Sequence, residues 1–242
     1  MKERPILLNA EMVNAVLSGR KTQTRRVIQS PAKSMQAHGM QVIEYRGVGD
    51  KWYGDHVFSM RGSSGAWHDY TKDKFLAKCP FGAVGDRLWV RETWCDVNLE
   101  GAPAVAYRAD DEVYDLMENE SFLDEDRAFN YQDPRVSKCH FAAWYSDLIR
   151  GVEGHWRPSI HMPRWASRIT LEITGVRVER LASVSDEDAG REGYPADPQP
   201  YGGRHDKWLW FRQLWDSIYP EQSFKVNPWV WVIEFKRLDG EE

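Results

Sequence analysis

Leu17-Ser18-Gly19-Arg20-Lys21-Thr22-Gln23-Thr24-Arg25-Arg26 is the stretch whose reading decides the fold. Before it, Met12, Val13, Val16 and Leu17 recur with a 3.6-residue period and predict a short amphipathic helix, for which Asn9 is a suitable N-cap. Gly19 stands where a helix ends in a left-handed residue, a conformation that costs glycine no Cβ clash. After it, Thr22, Thr24 and Arg26 alternate with Gln23 and Arg25, a period of two that predicts a strand over 22–28. A helix-to-strand turn of this kind places the Lys21 ammonium near the Thr24 hydroxyl. A hydroxyl needs a neighbouring base before it can act as a nucleophile, and a lysine can supply one. The same ten residues also read as a basic turn with solvated side chains.

Working outward, further alternating stretches predict strands over 87–94, 169–180 and 229–236. Ile169, Leu171 and Ile173 take one face of the third, with Thr170, Glu172 and Thr174 on the other. Helices are expected from Ser183 to Glu192, where Ser185 and Asp188 make a capping-box-like start, and from Lys207 to Tyr219. A shorter helix is expected around Phe141–Ile149, a hairpin around Gly47–Tyr53 and a Gly/Pro-rich loop from Gly193 to Gly203. Strands dispersed among short helices make this an α+β protein, most simply a small β-barrel with helices packed outside. The 242 residues suit a single domain, 1–242, carrying two insertions at about 31–80 and 95–155.

Charge is uneven. Residues 1–30 hold six basic and two acidic side chains, a net of +4, whereas residues 96–133 hold twelve acidic and two basic, a net of −10. A local basic surface attracts phosphate even on a chain whose formal net charge is −5. The three cysteines, Cys79, Cys95 and Cys139, have no CxxC spacing and suit a reducing cytoplasm, and no zinc-ligand pattern or other cofactor motif is present. No apolar run approaches membrane-spanning length, and the apolar run at the N-terminus is too short for a signal peptide, so a cytoplasmic protein is expected.

Gly19-Arg20-Lys21-Thr22 followed by Thr24 and Arg26, the Val84-Gly85-Asp86 turn, Thr170-Leu171-Glu172-Ile173 and Trp231-Val232-Ile233-Glu234-Phe235-Lys236 together resemble the ASCH-domain family of the PUA-like superfamily. The length resembles its larger members encoded by phages and prophages. The resemblance implies a PUA-like barrel that binds or acts on RNA and nucleosides. One branch, the bacterial N(4)-acetylcytidine amidohydrolases, uses a threonine nucleophile, a lysine and a glutamate. Carried over, these are Thr24, Lys21 and Glu172, which implies an N(4)-acylcytidine amidohydrolase.

A second pattern points to binding. Arg157, His161, Arg164, Trp165 and Arg168 interleave basic and aromatic groups, as a groove for single-stranded RNA or DNA requires, and Arg20, Arg25, Arg26 and Arg91 can extend that surface. The alternative to an enzyme is therefore a non-catalytic RNA- or DNA-binding module of phage origin. The bland reading of the same residues is core tryptophans and arginines paired with the acidic insertion.

Overall fold

The structure is a computed structural model that describes residues 1–28, 41–43, 48, 57–61, 64–197 and 205–238. The hairpin expected around Gly47–Tyr53, and the loop from residue 198 to 203, lie outside the described residues.

In chain order the strands and α-helices are β1 (Glu3–Leu7), α1 (Ala10–Leu17), β2 (Gln23–Val27), β3 (Gln41–Ile43), β4 (Val57–Arg61), β5 (Trp67–Thr71), α2 (Lys72–Leu76), β6 (Arg87–Arg91), β7 (Trp94–Leu99), β8 (Ala102–Tyr107), β9 (Val113–Asp115), α3 (Tyr145–Arg150), β10 (Thr170–Arg180), α4 (Asp186–Arg191), α5 (Asp206–Ile218) and β11 (Trp229–Leu238). Short 3₁₀ turns join several of them. Local chemistry sets the helix ends. Asn9 accepts from the Met12 amide at 2.9 Å, Gly19 takes a φ of +73°, and Ser185 caps α4 by accepting from Asp188 N.

The four strands expected to belong together do so. The largest sheet has the order β1-β6-β10-β11-β2, and two three-stranded sheets have the orders β3-β4-β5 and β7-β8-β9. β1 and β2 stand at opposite ends of the largest sheet. The fold is mixed α+β, and among the described residues no closed barrel is found. The expected strand over 87–94 also divides, because β6 ends at Arg91 and Trp94 begins β7 in another sheet.

The chain divides into two compact units. The first comprises Met1–Arg4, Gly19–Leu88 and Leu171–Arg237. In it β2 runs antiparallel to β11, with Thr24 opposite Ile233 and Arg25 opposite Val232. That register puts Val27, Val230 and Val232 on one face, where they pack with Leu181, Val184, Ala189, Phe211 and Trp215. On β11 the alternate residue Trp231 stacks on Phe75 of α2, ring centroids 5.2 Å apart. The Val84-Gly85-Asp86 turn is held by the Asp86 carboxylate, which accepts from the amides of Lys2 and Ala83. These hydrogen bonds, Lys2 first, lower its pKa.

The second unit comprises Pro5–Ser18, Trp89–Thr170 and Leu238–Glu242, and so holds α1 and most of the second expected insertion. Its β7–β8 hairpin turns through Glu100 and Gly101, both at positive φ, the geometry of the two-residue turn that matches strand twist. Both hairpin faces are buried. Trp94, Val105 and Tyr107 join an aromatic cluster with Phe122, Phe129 and Met162, while Cys95, Val97, Ala104 and Ala106 pack around Leu148. The cysteines are free, and burial pushes the thiol of Cys95 up to about 11 and that of Cys139 up to about 12. Among the described residues no helix is long and apolar enough to cross a membrane.

Candidate active site

The site is built where the chain enters β2. Lys21 precedes the strand and forms an antiparallel bridge with Glu192, the residue that ends α4, while the Thr22 amide donates to the Arg191 carbonyl at 3.0 Å. Bridge partners direct their side chains to the same face, so the Lys21 Nζ reaches the Glu192 carboxylate at 2.9 Å and also donates to its backbone carbonyl at 2.8 Å. Neither group is accessible to water, with side-chain exposures of 0% and 4%. Burial lowers the Lys21 pKa, Glu192 opposes that shift, and Arg26 and Arg25 add to it. Two of the three ammonium protons are thus taken by one residue.

Alternation along β2 sends Gln23 and Arg25 to the same side as Lys21. The Arg25 guanidinium donates to Glu192 Oε1 at 3.0 Å, to Asp188 Oδ2 at 3.1 Å and to Glu179 Oε2 at 3.2 Å, with no solvent exposure of its own. The Gln23 amide donates to the Asp188 carbonyl at 3.1 Å. On β10, Arg177 continues the network to Glu179, Asp188 and Glu234. The network therefore runs from a dry end at Lys21, Arg25 and Glu192 to a half-exposed end at Arg177 and Glu234. Gly175 makes room for the outer end, since a Cβ there would meet the Glu234 Oε2 at 2.7 Å.

The structure brings Lys21 to a glutamate, and that glutamate is Glu192. Glu172 instead pairs with Lys236 of β11 at 3.2 Å, where both side chains have solvent contact. On β10, Glu172 alternates with the buried Leu171 and Ile173 and occupies the other strand face. Thr24 is buried opposite Ile233, on the face of β2 alternate to Gln23 and Arg25. Arg20 donates to the Tyr194 carbonyl at 2.7 Å and so secures the chain just past Glu192. The Arg26 guanidinium lies 3.5 Å from the Tyr219 hydroxyl. The local sequence holds only a partial signal for Glu192. Asp188 and Glu192 are four apart, so they share one side of a helical turn, and a strand bearing Lys21 and Arg25 on one face needs carboxylates to meet it.

The basic-aromatic residues sit in the second unit, and most have internal partners. Arg157 pairs with Asp96, which also accepts from the amides of His140 and Phe141, and it lies over the Trp94 ring. Arg168 forks onto Glu92 at 3.0 Å and onto Asp110 at 2.8 Å. Burial works against its charge, but these hydrogen bonds prevail and hold its pKa above the ordinary value. Glu92 is buried, which raises its pKa despite Arg168. Trp165 packs edge-on to Trp94 and Phe122. His161 and Arg164 are exposed, and Arg164 donates to Thr170 Oγ1 at 3.4 Å.

No family model, curated protein or solved structure matches this chain. Among the described residues no group of three or more His, Cys, Asp or Glu side chains is placed to hold a metal ion.

Proposed function

We propose that this chain is an amidohydrolase that removes an N(4)-acyl group from a cytidine-type nucleoside, with Lys21 as the proton-transfer group and Glu192, in place of Glu172, as its carboxylate. The observation that carries this reading is the water-excluded contact between Lys21 Nζ and the Glu192 carboxylate at 2.9 Å. Amide hydrolysis needs an oxygen nucleophile, a base that takes its proton and an acid that returns a proton to the departing nitrogen. A lysine whose charged form is disfavoured by burial fills both proton roles.

In this reaction a hydroxyl oxygen bonds to the acyl carbon while its proton passes to Lys21. The carbon–nitrogen bond then breaks as Lys21 protonates the exocyclic amine of the cytosine. Water cleaves the resulting ester, which frees the acid and restores the hydroxyl. Thr24 enters as the nucleophile implied by the resemblance to the acetylcytidine amidohydrolases. The RNA- or DNA-binding alternative has less support, because Arg25, Arg157 and Arg168 hold internal carboxylates.

The test is release of cytidine from N(4)-acetylcytidine, followed by chromatography. Lys21→Met, Glu192→Gln and Thr24→Ala should each lose about a hundredfold or more in rate, the scale of a lost proton-transfer or nucleophilic group, while Glu172→Gln keeps its activity. A wild-type protein that releases no cytidine ends the amidohydrolase reading. Retained activity in Thr24→Ala, with loss in Lys21→Met, removes the threonine and makes water the nucleophile.

A further inference from the structure

We propose that Arg25 is a positioning residue for the Lys21–Glu192 pair, its buried guanidinium holding one oxygen of Glu192 so that the other faces Lys21. This rests on the amidohydrolase reading for its catalytic meaning, but the geometry on which it stands is independent of any reaction.

Arg25 is an unusual occupant of its position. Two residues along the same strand face, Val27 packs into the apolar cluster that includes Phe211 and Trp215. A valine or leucine at residue 25 would continue that surface. Instead the guanidinium lies 5.8 Å from the Phe211 ring centre with no solvent exposure. Removing a full charge from water is unfavourable unless partners replace the lost hydration, so an isolated arginine here would destabilise the fold. The partners come from two elements. Glu179 belongs to β10, and Asp188 and Glu192 to α4 and its end. The planar fork of arginine meets such a set at fixed angles, which an ammonium cannot do.

The division of Glu192 is the informative detail. Oε1 accepts from Arg25 at 3.0 Å and Oε2 accepts from Lys21 at 2.9 Å. A carboxylate held at both oxygens cannot rotate, so the oxygen presented to Lys21 is set by Arg25. The charge of Arg25 also acts on Lys21 directly. The charged groups facing Lys21 are Glu192 from the end of α4 and Arg25 and Arg26 from β2, with Glu192 stabilising the ammonium and the two arginines opposing it. Without Arg25, Glu192 Oε1 loses its donor and one of the two arginine charges opposing the Lys21 ammonium is gone, so Lys21 would hold its proton more tightly. A base must lose its proton to work, so Arg25 keeps Lys21 closer to the form a base requires.

The test follows the Lys21 side chain itself. In protein labelled with ¹⁵N-lysine, the Lys21 Nζ resonance is assigned by its loss in Lys21→Met and titrated in wild type, Arg25→Gln, Arg25→Met and Arg25→Lys. Either neutral variant should move the Lys21 midpoint to higher pH, whereas Arg25→Lys, which keeps the charge, should leave it near the wild-type value. Where cytidine is released, the rising limb of the kcat–pH profile should move with that midpoint. A chain without hydrolytic activity still gives the titration, so failure of the reaction and failure of the positioning role are read separately. An unmoved midpoint in the folded neutral variants, or equal displacement in all three, overturns the proposal. Loss of the fold in both neutral variants with Arg25→Lys folded assigns Arg25 a structural role and overturns it equally.

Discussion

Lys21 and Glu192 meet twice, as antiparallel bridge partners through their backbones and as an ion pair through their side chains at 2.9 Å. The double contact ties the entry to β2 to the end of α4 across 171 positions of sequence. It also closes both groups off from water, which sets the sign of what happens on titration.

Burial lowers the Lys21 pKa below its ordinary 10.5. Between the lowered value and 10.5 the unfolded chain binds a proton that the folded chain does not, so stability rises with pH across that window. Below it both states are protonated and the burial penalty is fully present. Urea unfolding of wild type and Lys21→Met over a series of alkaline pH values should therefore show wild type gaining on the variant as pH climbs toward 10.5. A gap that stays constant, or moves the other way, contradicts a lowered lysine.

Arg168 compensates Glu92, whose side chain is 2% exposed. Arg168→Met strands that carboxylate and should cost about 3–5 kcal/mol in denaturant unfolding, while Arg168→Met with Glu92→Leu recovers much of the loss. Equal losses in the single and double variants would show that packing, not charge, is what Arg168 contributes.

Arg157 and Arg168 also bear on nucleic acid. An arginine that contacts phosphate steepens the dependence of binding on salt by about one unit of slope, and its removal flattens it. Because both are engaged by internal carboxylates, Arg157→Gln and Arg168→Gln should leave the slope for any single-stranded RNA that binds at low salt unchanged. A slope reduced by either change would restore the groove reading.

Gly175 is needed for Glu234 to sit against Arg177. Gly175→Ala should cost about 1 kcal/mol or less, the scale of a partly exposed ion pair, by pushing the carboxylate aside. The effect should shrink in a Glu234→Ala background, since the two changes remove the same interaction. Additive losses would place the strain in the β10 backbone.

Local signals were legible where one chemistry dominated. Asn9 and Gly19 bounded α1, Ser185 opened α4, and alternation marked β2, β6, β10 and β11. β7 and β8 were hidden because both faces of their hairpin are buried, which turns alternation into the continuous run Ala104-Val105-Ala106-Tyr107. The expected helix over 141–149 starts only at Tyr145, since Phe141 has a φ of +48° that no helix accepts. In the candidate site, Lys21 was found by its turn and its partner was missed. Glu172 matched a strand motif, whereas Glu192 earns its place by pairing across the sheet edge, a long-range relation that no local window contains.

The Trp94 amide donates to the Arg157 carbonyl at 3.2 Å and the Arg157 amide to the Trp94 carbonyl at 2.7 Å. The polypeptide thus departs and returns through a single narrow neck. Lengthening a segment whose ends are already joined adds only about 0.6 kcal/mol of closure entropy per doubling. Residues added between these two positions should accordingly meet little closure-entropy resistance.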